Sequence, residues 1–169
     1  MYELEVKASL VQLAFNPGNG WRVTVHVDPM ERARGGVHPA DKAKRAQAAL
    51  ERLEGLGARI GAHDIYGRVD VVADHPDYGE RLVEVAGDSS RPRDQAVYSS
   101  LGQLVLVMRI WSADFRYGLA VPHTRPWRLQ LRKIPVEVRQ KLNLELYTVG
   151  IGSLTHYSAG EEVLDRGKP

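Results

Sequence analysis

Two short apolar runs, Val69–Ala73 and Leu82–Ala86, each carry one carboxylate, Asp70 in the first and Glu84 in the second. Side chains alternate across a strand, so a regular strand puts Asp64, Tyr66, Arg68 and Asp70 on one face. On the next strand Leu82, Glu84 and Ala86 share a face. The segment between them, Asp74–Gly79, holds Pro76 and Gly79 and reads as a hairpin loop, which makes the two strands neighbours. Two adjacent strands joined by such a short loop can bring Asp70 and Glu84 close together in half-buried surroundings. Such acids repel and need a cation between them or a shared proton. Oxygen-only ligands suit Mg²⁺ or Mn²⁺. The alternative is that Asp70 faces solvent at a strand edge and Glu84 pairs with Arg68 or Arg81.

The rest of the chain supplies the frame. Residues 1–14 are apolar enough for a strand or a helix, and periodicity does not decide. Phe15–Gly20 is a turn, Trp21–Val27 a strand, and Asp28–Val37 a loop. Ala40, Ala43, Ala46, Leu50, Leu53 and Leu56 recur at helical spacing and predict a helix over Pro39–Leu56. Ala58–Ile60 is a short lead-in, followed by strands over Ile65–Ala73 and Arg81–Ala86. Pro92–Ile110 is a second, mostly buried helix, capped by Ser89 or Ser90. A strand over Arg116–Val121, helices over Arg125–Leu131 and Pro135–Leu142, and a last strand over Leu144–Ile151 complete the order. The tail from Gly160 is expected to fray. This order predicts a single α/β (α+β) domain with a central mixed sheet flanked by helices. Its core spans about 40–151, with an extension over 1–38 and a tail over 160–169.

The 169 residues suffice for one core without disulfides, and the chain has no cysteine. That removes thiolate metal sites and cysteine nucleophiles. The six histidines show no i, i+4 pair, which argues against a histidine zinc site; His63 borders the acidic segment. No apolar run reaches the roughly 18–20 residues of a membrane span, and no signal peptide is evident, so the expectation is a cytoplasmic protein. The net charge of +2 hides an asymmetry. Residues 63–94 hold eight acids and four bases, whereas residues 121–143 hold six bases and one acid. In the basic stretch Trp127 stands among Arg125, Arg128, Arg132 and Lys133, a combination suited to phosphates and bases. It equally suits an apolar core strip with a solvated basic face.

The segment from His63 to Leu104 resembles the core of the PD-(D/E)XK, or restriction-endonuclease-like, nuclease superfamily. Asp70 matches the first acid and Glu84 the second, in Val83-Glu84-Val85-Ala86-Gly87. The helix from Pro92, with Gln95, Tyr98 and Leu101–Leu104, and the later Tyr117–Pro122 resemble the elements that follow. The resemblance spans about residues 40–151. It implies a metal-dependent nuclease acting on DNA. Mg²⁺ or Mn²⁺ would be held by Asp70, Glu84 and the Val85 carbonyl, with Arg125, Arg128, Arg132 and Lys133 on nucleic acid. Relatives that cut both strands are often dimers, so it also allows a homodimer. One departure is central: Ala86 stands where the family has its lysine, and no lysine occurs from Arg45 through Arg132. Gln95, Arg91, Arg93, Lys42 and Lys44 are the candidates for part of its role. Gln95, Ser99 and Gln103 form a polar stripe at i, i+4 and i+8. The same departure motivates a second expectation, a catalytically degenerate nuclease fold serving as a DNA-binding or protein-interaction module.

Overall fold

The computed structural model describes residues 1–29, 41–89, 91–108 and 115–164. Most of the loop expected over 28–37 lies outside them, as do Pro39 and Ala40, Ser90, Arg109 and Ile110, and the last five residues. The fold is α+β, with one seven-stranded mixed sheet between two helical layers. The strands are β1 (Arg22–Val25), β2 (Arg59–Ile60), β3 (Val71–His75), β4 (Gly79–Val85), β5 (Phe115–Pro122), β6 (Leu144–Gly150) and β7 (Ser153–Tyr157). Their order across the sheet is β2-β1-β3-β4-β5-β6-β7. The pairs β1/β2, β4/β5 and β5/β6 are parallel, and the others are antiparallel.

Each parallel step is bridged by helix, as a parallel connection requires. Helix α2 (Lys42–Gly55) lies between β1 and β2, and α3 (Arg93–Val107) between β4 and β5. Helices α4 (Arg125–Leu131) and α5 (Val136–Leu142) lie between β5 and β6. Helix α1 (Glu3–Ala14) and α2 cover one face, packing on Val71, Ala73, Val83, Val85, Ala120, Tyr147 and Val149. Helices α3 and α4 cover the other, over Val72, Leu82, Tyr117, Leu119, Val121, Leu144 and Leu146. Among the described residues no helix is long and apolar enough to cross a membrane.

The undecided N-terminal segment is helix α1. It is buried around most of its circumference, through Leu4, Val6, Lys7, Ala8, Ser9, Leu10 and Val11. Periodicity could not separate such an all-round buried helix from a buried strand. Its first turn is tied down in three ways. The Tyr2 N–H donates to Glu5 at 2.8 Å, the reach-back half of a capping box. Arg45 of α2 holds the same Glu5 carboxylate through two nitrogens, at 2.7 and 2.8 Å. The Asp88 N–H donates to the Met1 carbonyl at 2.8 Å. The backbone of Glu3 crosses directly over Gly87, where a Cβ would collide with it.

The helix expected from Pro92 is buried only at Val97, Ser100 and Leu104 and has no side-chain cap, Ser89 accepting instead from the Arg91 N–H. Three other expected elements also come out differently. The strand over Ile65–Ala73 begins only at Val71. Residues His63–Gly67 form a closed turn with reciprocal backbone hydrogen bonds of 2.7 and 2.9 Å, and Gly67 has φ +65°. Asp64 and Tyr66 therefore do not share a strand face with Asp70. The hairpin loop over Asp74–Gly79 is shorter than expected, because Asp74, His75 and Gly79 belong to the paired strands. The tail is ordered through Leu164: Arg139, buried on α5, hydrogen-bonds the carbonyls of Ser158 and Glu161, and Val163 joins the core. Strand β7 went unforeseen; its burial is partial, and its pairing with β6 supplies what its sequence pattern does not.

On the α1 face, buried Glu145 accepts from Tyr147 at 2.6 Å and lies 3.4–3.7 Å from Arg81, Arg116 and His156. Burial alone would raise its pKa. The histidine, tyrosine and arginine beside it overcome that and hold it below the ordinary glutamate value.

Gly87→Ala is expected to lift the first turn of α1 off the end of β4. Overpacking against backbone costs roughly 1–3 kcal/mol, and thermal unfolding should report a melting point several degrees lower. An unchanged melting point would show that the crossing has room to spare.

Candidate functional site

Antiparallel pairing of β3 with β4 stops at Val71 opposite Val83. Beyond it, the Ala86 N–H of β4's extension turns to β5 and donates to Ala120. By alternation the Val85 N–H points the other way, where the β3 ladder has already ended. Asp70 fills that gap: its Oδ2 accepts the Val85 N–H at 2.8 Å. On the far side the Asp70 carbonyl accepts the His26 N–H at 3.0 Å. Asp70 is thus fixed by the way the two strands part.

Its other oxygen meets a lysine. Lys7 Nζ lies 2.7 Å from Asp70 Oδ1, 3.0 Å from Glu3 Oε1 and 3.0 Å from the His26 carbonyl. The Lys7 side chain is fully buried. An ammonium has three donors and no acceptor, and these oxygens match them. Glu3 and Lys7 are one turn apart on α1, so the anchored first turn of that helix sets both. The signal was weak: one lysine in an apolar segment 63 residues before Asp70, with nothing in the spacing to join them.

Glu84 projects from β4 to the α3 face, 4% exposed, beside Asp70, itself 8% exposed. Burial first, then the Asp70 charge and a hydrogen bond with Asp70, push the Glu84 carboxyl up to about 9; Lys7 opposes the shift. At neutral pH the pair therefore shares a proton, carried on Glu84. Glu84 pairs with neither Arg68 nor Arg81; Arg81 is engaged with Glu145 and with the carbonyls of Tyr78 and Glu80.

The acids open into a cleft of about 530 Å³. Glu3, His26, Asp28 and Lys42 line one side, and Asp70, Glu84, Val85 and Ala86 line the strand ends. Arg68 stands on one bank and Ser99, Ser100 and Gln103 of α3 on the other, with Ser89 and Arg91 from the loop before α3. Of the polar stripe on α3, Ser99 and Gln103 reach the cleft; Gln95 is exposed outside its lining. Arg91 and Lys42 line the cleft, while Arg93 and Lys44 do not. His63 lies away from the acids and stacks on Tyr66 at 5.0 Å. Among the described residues no group of three or more His, Cys, Asp or Glu is arranged to hold a metal.

In the basic segment, Arg125, Arg132 and Lys133 are exposed and Arg128 is half-buried. Trp127 is not available for stacking on a base. It is 1% exposed, packed in the core, and donates its indole N–H to Asp88 at 3.0 Å. Asp88 also receives the terminal amine of Met1 at 2.7 Å, which links α4 to the anchored start of α1.

Comparison with protein-family models, with curated proteins and with solved structures finds no match to this chain. The site is therefore read from its own chemistry.

Breaking one partner of a buried ion pair costs about 3–5 kcal/mol, because the other charge is stranded. Lys7→Met should lower stability on that scale in chemical denaturation, and Asp70→Asn added to it should recover part of the loss. Additive losses would show that the two side chains do not act as a pair. Glu84 gives an independent check. Its folded pKa lies above its ordinary value of 4.5, so the folded chain holds a proton that the unfolded chain releases. Stability from this group is complete below that value and is lost as pH rises through about 9. Glu84→Gln cannot ionise, so denaturation in EDTA should show the variant gaining on the wild type from pH 5 to pH 8. A constant difference across that range would rule out the raised carboxyl.

Proposed function

We propose that the protein is a metal-dependent nuclease that hydrolyses DNA phosphodiester bonds at the Asp70–Glu84 cleft, with Lys7 doing the work of the lysine that Ala86 replaces. The observation that carries this reading is the Lys7 ammonium 2.7 Å from Asp70. The resemblance to the PD-(D/E)XK nucleases calls for two acids on adjacent strands and an ammonium beside them. Here the acids come from the ends of β3 and β4, and the ammonium comes from α1.

The donor set suits Mg²⁺ or Mn²⁺. Such ions need only one or two carboxylates, with water and substrate oxygens completing the shell. A buried carboxyl raised to about 9 beside a second carboxylate also marks a place where added positive charge is favourable. Asp70, Glu84 and the Val85 carbonyl would hold the ion. When bound, it would neutralise phosphate charge and activate a water. The protein's own part is to position and stabilise. Lys7, its three donors taken by Asp70, Glu3 and the His26 carbonyl, would act by its fixed positive charge behind Asp70, close to where negative charge grows on the phosphate. Arg68 and Arg91 face the cleft and suit phosphate oxygens. Arg125, Arg132 and Lys133, with Arg128 beside them, extend the contact along the backbone. A cytoplasmic setting goes with this reading, and a homodimer would be needed only for cutting both strands of a duplex.

One observation favours a second reading, a degenerate nuclease fold that binds DNA or protein without turnover. Both Asp70 oxygens are already engaged, one by Lys7 and one by the Val85 N–H, as a structural ion pair would have them.

One set of assays separates the two. For a nuclease, Mg²⁺ or Mn²⁺ should support cleavage of DNA by the wild type. Asp70→Ala and Glu84→Ala should each abolish it, and Lys7→Ala should lower the rate about 10²–10³-fold. Ala86→Lys in the Lys7→Ala background should restore part of that rate by supplying the ammonium from β4. A wild type inert with either metal, gaining cleavage only on Ala86→Lys, would establish the degenerate reading instead.

A further inference from the structure

The depth and width of the cleft bear on which form of DNA reaches the acids. Asp70 and Glu84 line the cleft at 8% and 4% exposure, so the acids stand at its floor and not on an open surface. Its volume of about 530 Å³ is of the class that encloses one small molecule, roughly 300–1,000 Å³. One or two nucleotides fill it. A duplex, whose two grooves are about 12 and 6 Å wide between its backbones, is too large to be enclosed in it.

The banks carry a second signal. Ile65 is 76% exposed at the tip of the His63–Gly67 turn, three residues before Arg68. That turn is braced: Arg59 grips Asp64 through two nitrogens at 2.8 and 2.9 Å, and the Tyr66 hydroxyl donates to Glu80 at 2.9 Å. On α3, Leu106 is 79% exposed and lies seven residues after Ser99 and three after Gln103, on the helix face that lines the cleft. Two large apolar side chains thus stand in water on the elements that carry Arg68, Ser99 and Gln103. Paired bases present mainly phosphate and groove edges, whereas unpaired bases present apolar faces.

We infer that the cleft admits an unpaired DNA strand: Arg68 and Arg91 take its phosphates, and Ile65 and Leu106, on the segments that flank its lining, take the faces of bases. Basic side chains along the backbone, with apolar surfaces for unstacked bases, are how single strands are bound without sequence readout. The inference rests on the nuclease reading for the chemistry but not for the binding, which can be measured without turnover.

The test is fluorescence anisotropy in EDTA with a labelled 15-nucleotide single strand and a duplex of the same length, followed by cleavage of both in Mg²⁺. The single strand should bind at least about tenfold more tightly. Ile65→Ser and Leu106→Ser, both at exposed positions, should each weaken single-strand binding by about five- to tenfold, the low end of the range for losing contact with one base. Duplex affinity should not move. Single-strand preference that depends on Ile65 and Leu106, without cleavage in any metal, would keep the inference and remove the nuclease reading. Equal affinity and equal cleavage of the two forms would overturn the inference and leave the nuclease reading intact. No binding to either form, together with no cleavage of either in Mg²⁺, would overturn both.

Discussion

The contact between Lys7 and Asp70 joins the two halves of this molecule. Asp70 is placed by the parting of β3 from β4, and Lys7 by a helix that precedes the sheet in the chain. Neither charge is tolerable alone at this depth. A buried ammonium and a buried carboxylate hold their charges only while each has the other and its remaining donors and acceptors are met. The anchoring of α1 through Glu5, Arg45 and the crossing over Gly87 is what keeps the lysine in reach. Disturbing that first turn disturbs the site.

That contact also divides the charge within the cleft. Lys7 and the Val85 N–H take the two oxygens of Asp70, while Glu84, more deeply buried and beside that carboxylate, keeps its proton. Two acids that are alike in sequence are driven apart by their surroundings, the usual preparation for unequal roles in chemistry. The arrangement leaves the pair one positive charge short of full ionisation. A divalent ion would supply that charge, and a protein without turnover would live with the proton instead.

Much of the frame was legible. Trp21–Val27, Leu144–Ile151 and the helix ending at Leu56 announce themselves by period and by flanking Gly and Pro, and all are found within a few residues of expectation. The adjacency of Asp70 and Glu84 followed from two apolar runs joined by a short turn. What failed did so where local pattern and tertiary need diverge. Ile65–Val69 looks β-rich, yet it is spent on a turn closed by Gly67. Trp127 among arginines suited a stacking platform or a core strip alike in sequence, and the fold takes the second, because burying a large indole is worth more than exposing it. The segment 1–14 stayed ambiguous because a helix buried on nearly all sides has no polar face to reveal its period.

The sequence by itself determined the class of fold, the two strands that carry acids, and the absence of a lysine beside Glu84. These depend on residue type and short-range spacing, which strand alternation and helical period translate into geometry. Only the tertiary structure decided that the cation beside Asp70 is Lys7, that Gln95 stands outside the cleft, and that Glu84 holds a proton. Each of these depends on residues brought together from distant parts of the chain and on how far they are removed from water. Nothing in local spacing encodes either quantity.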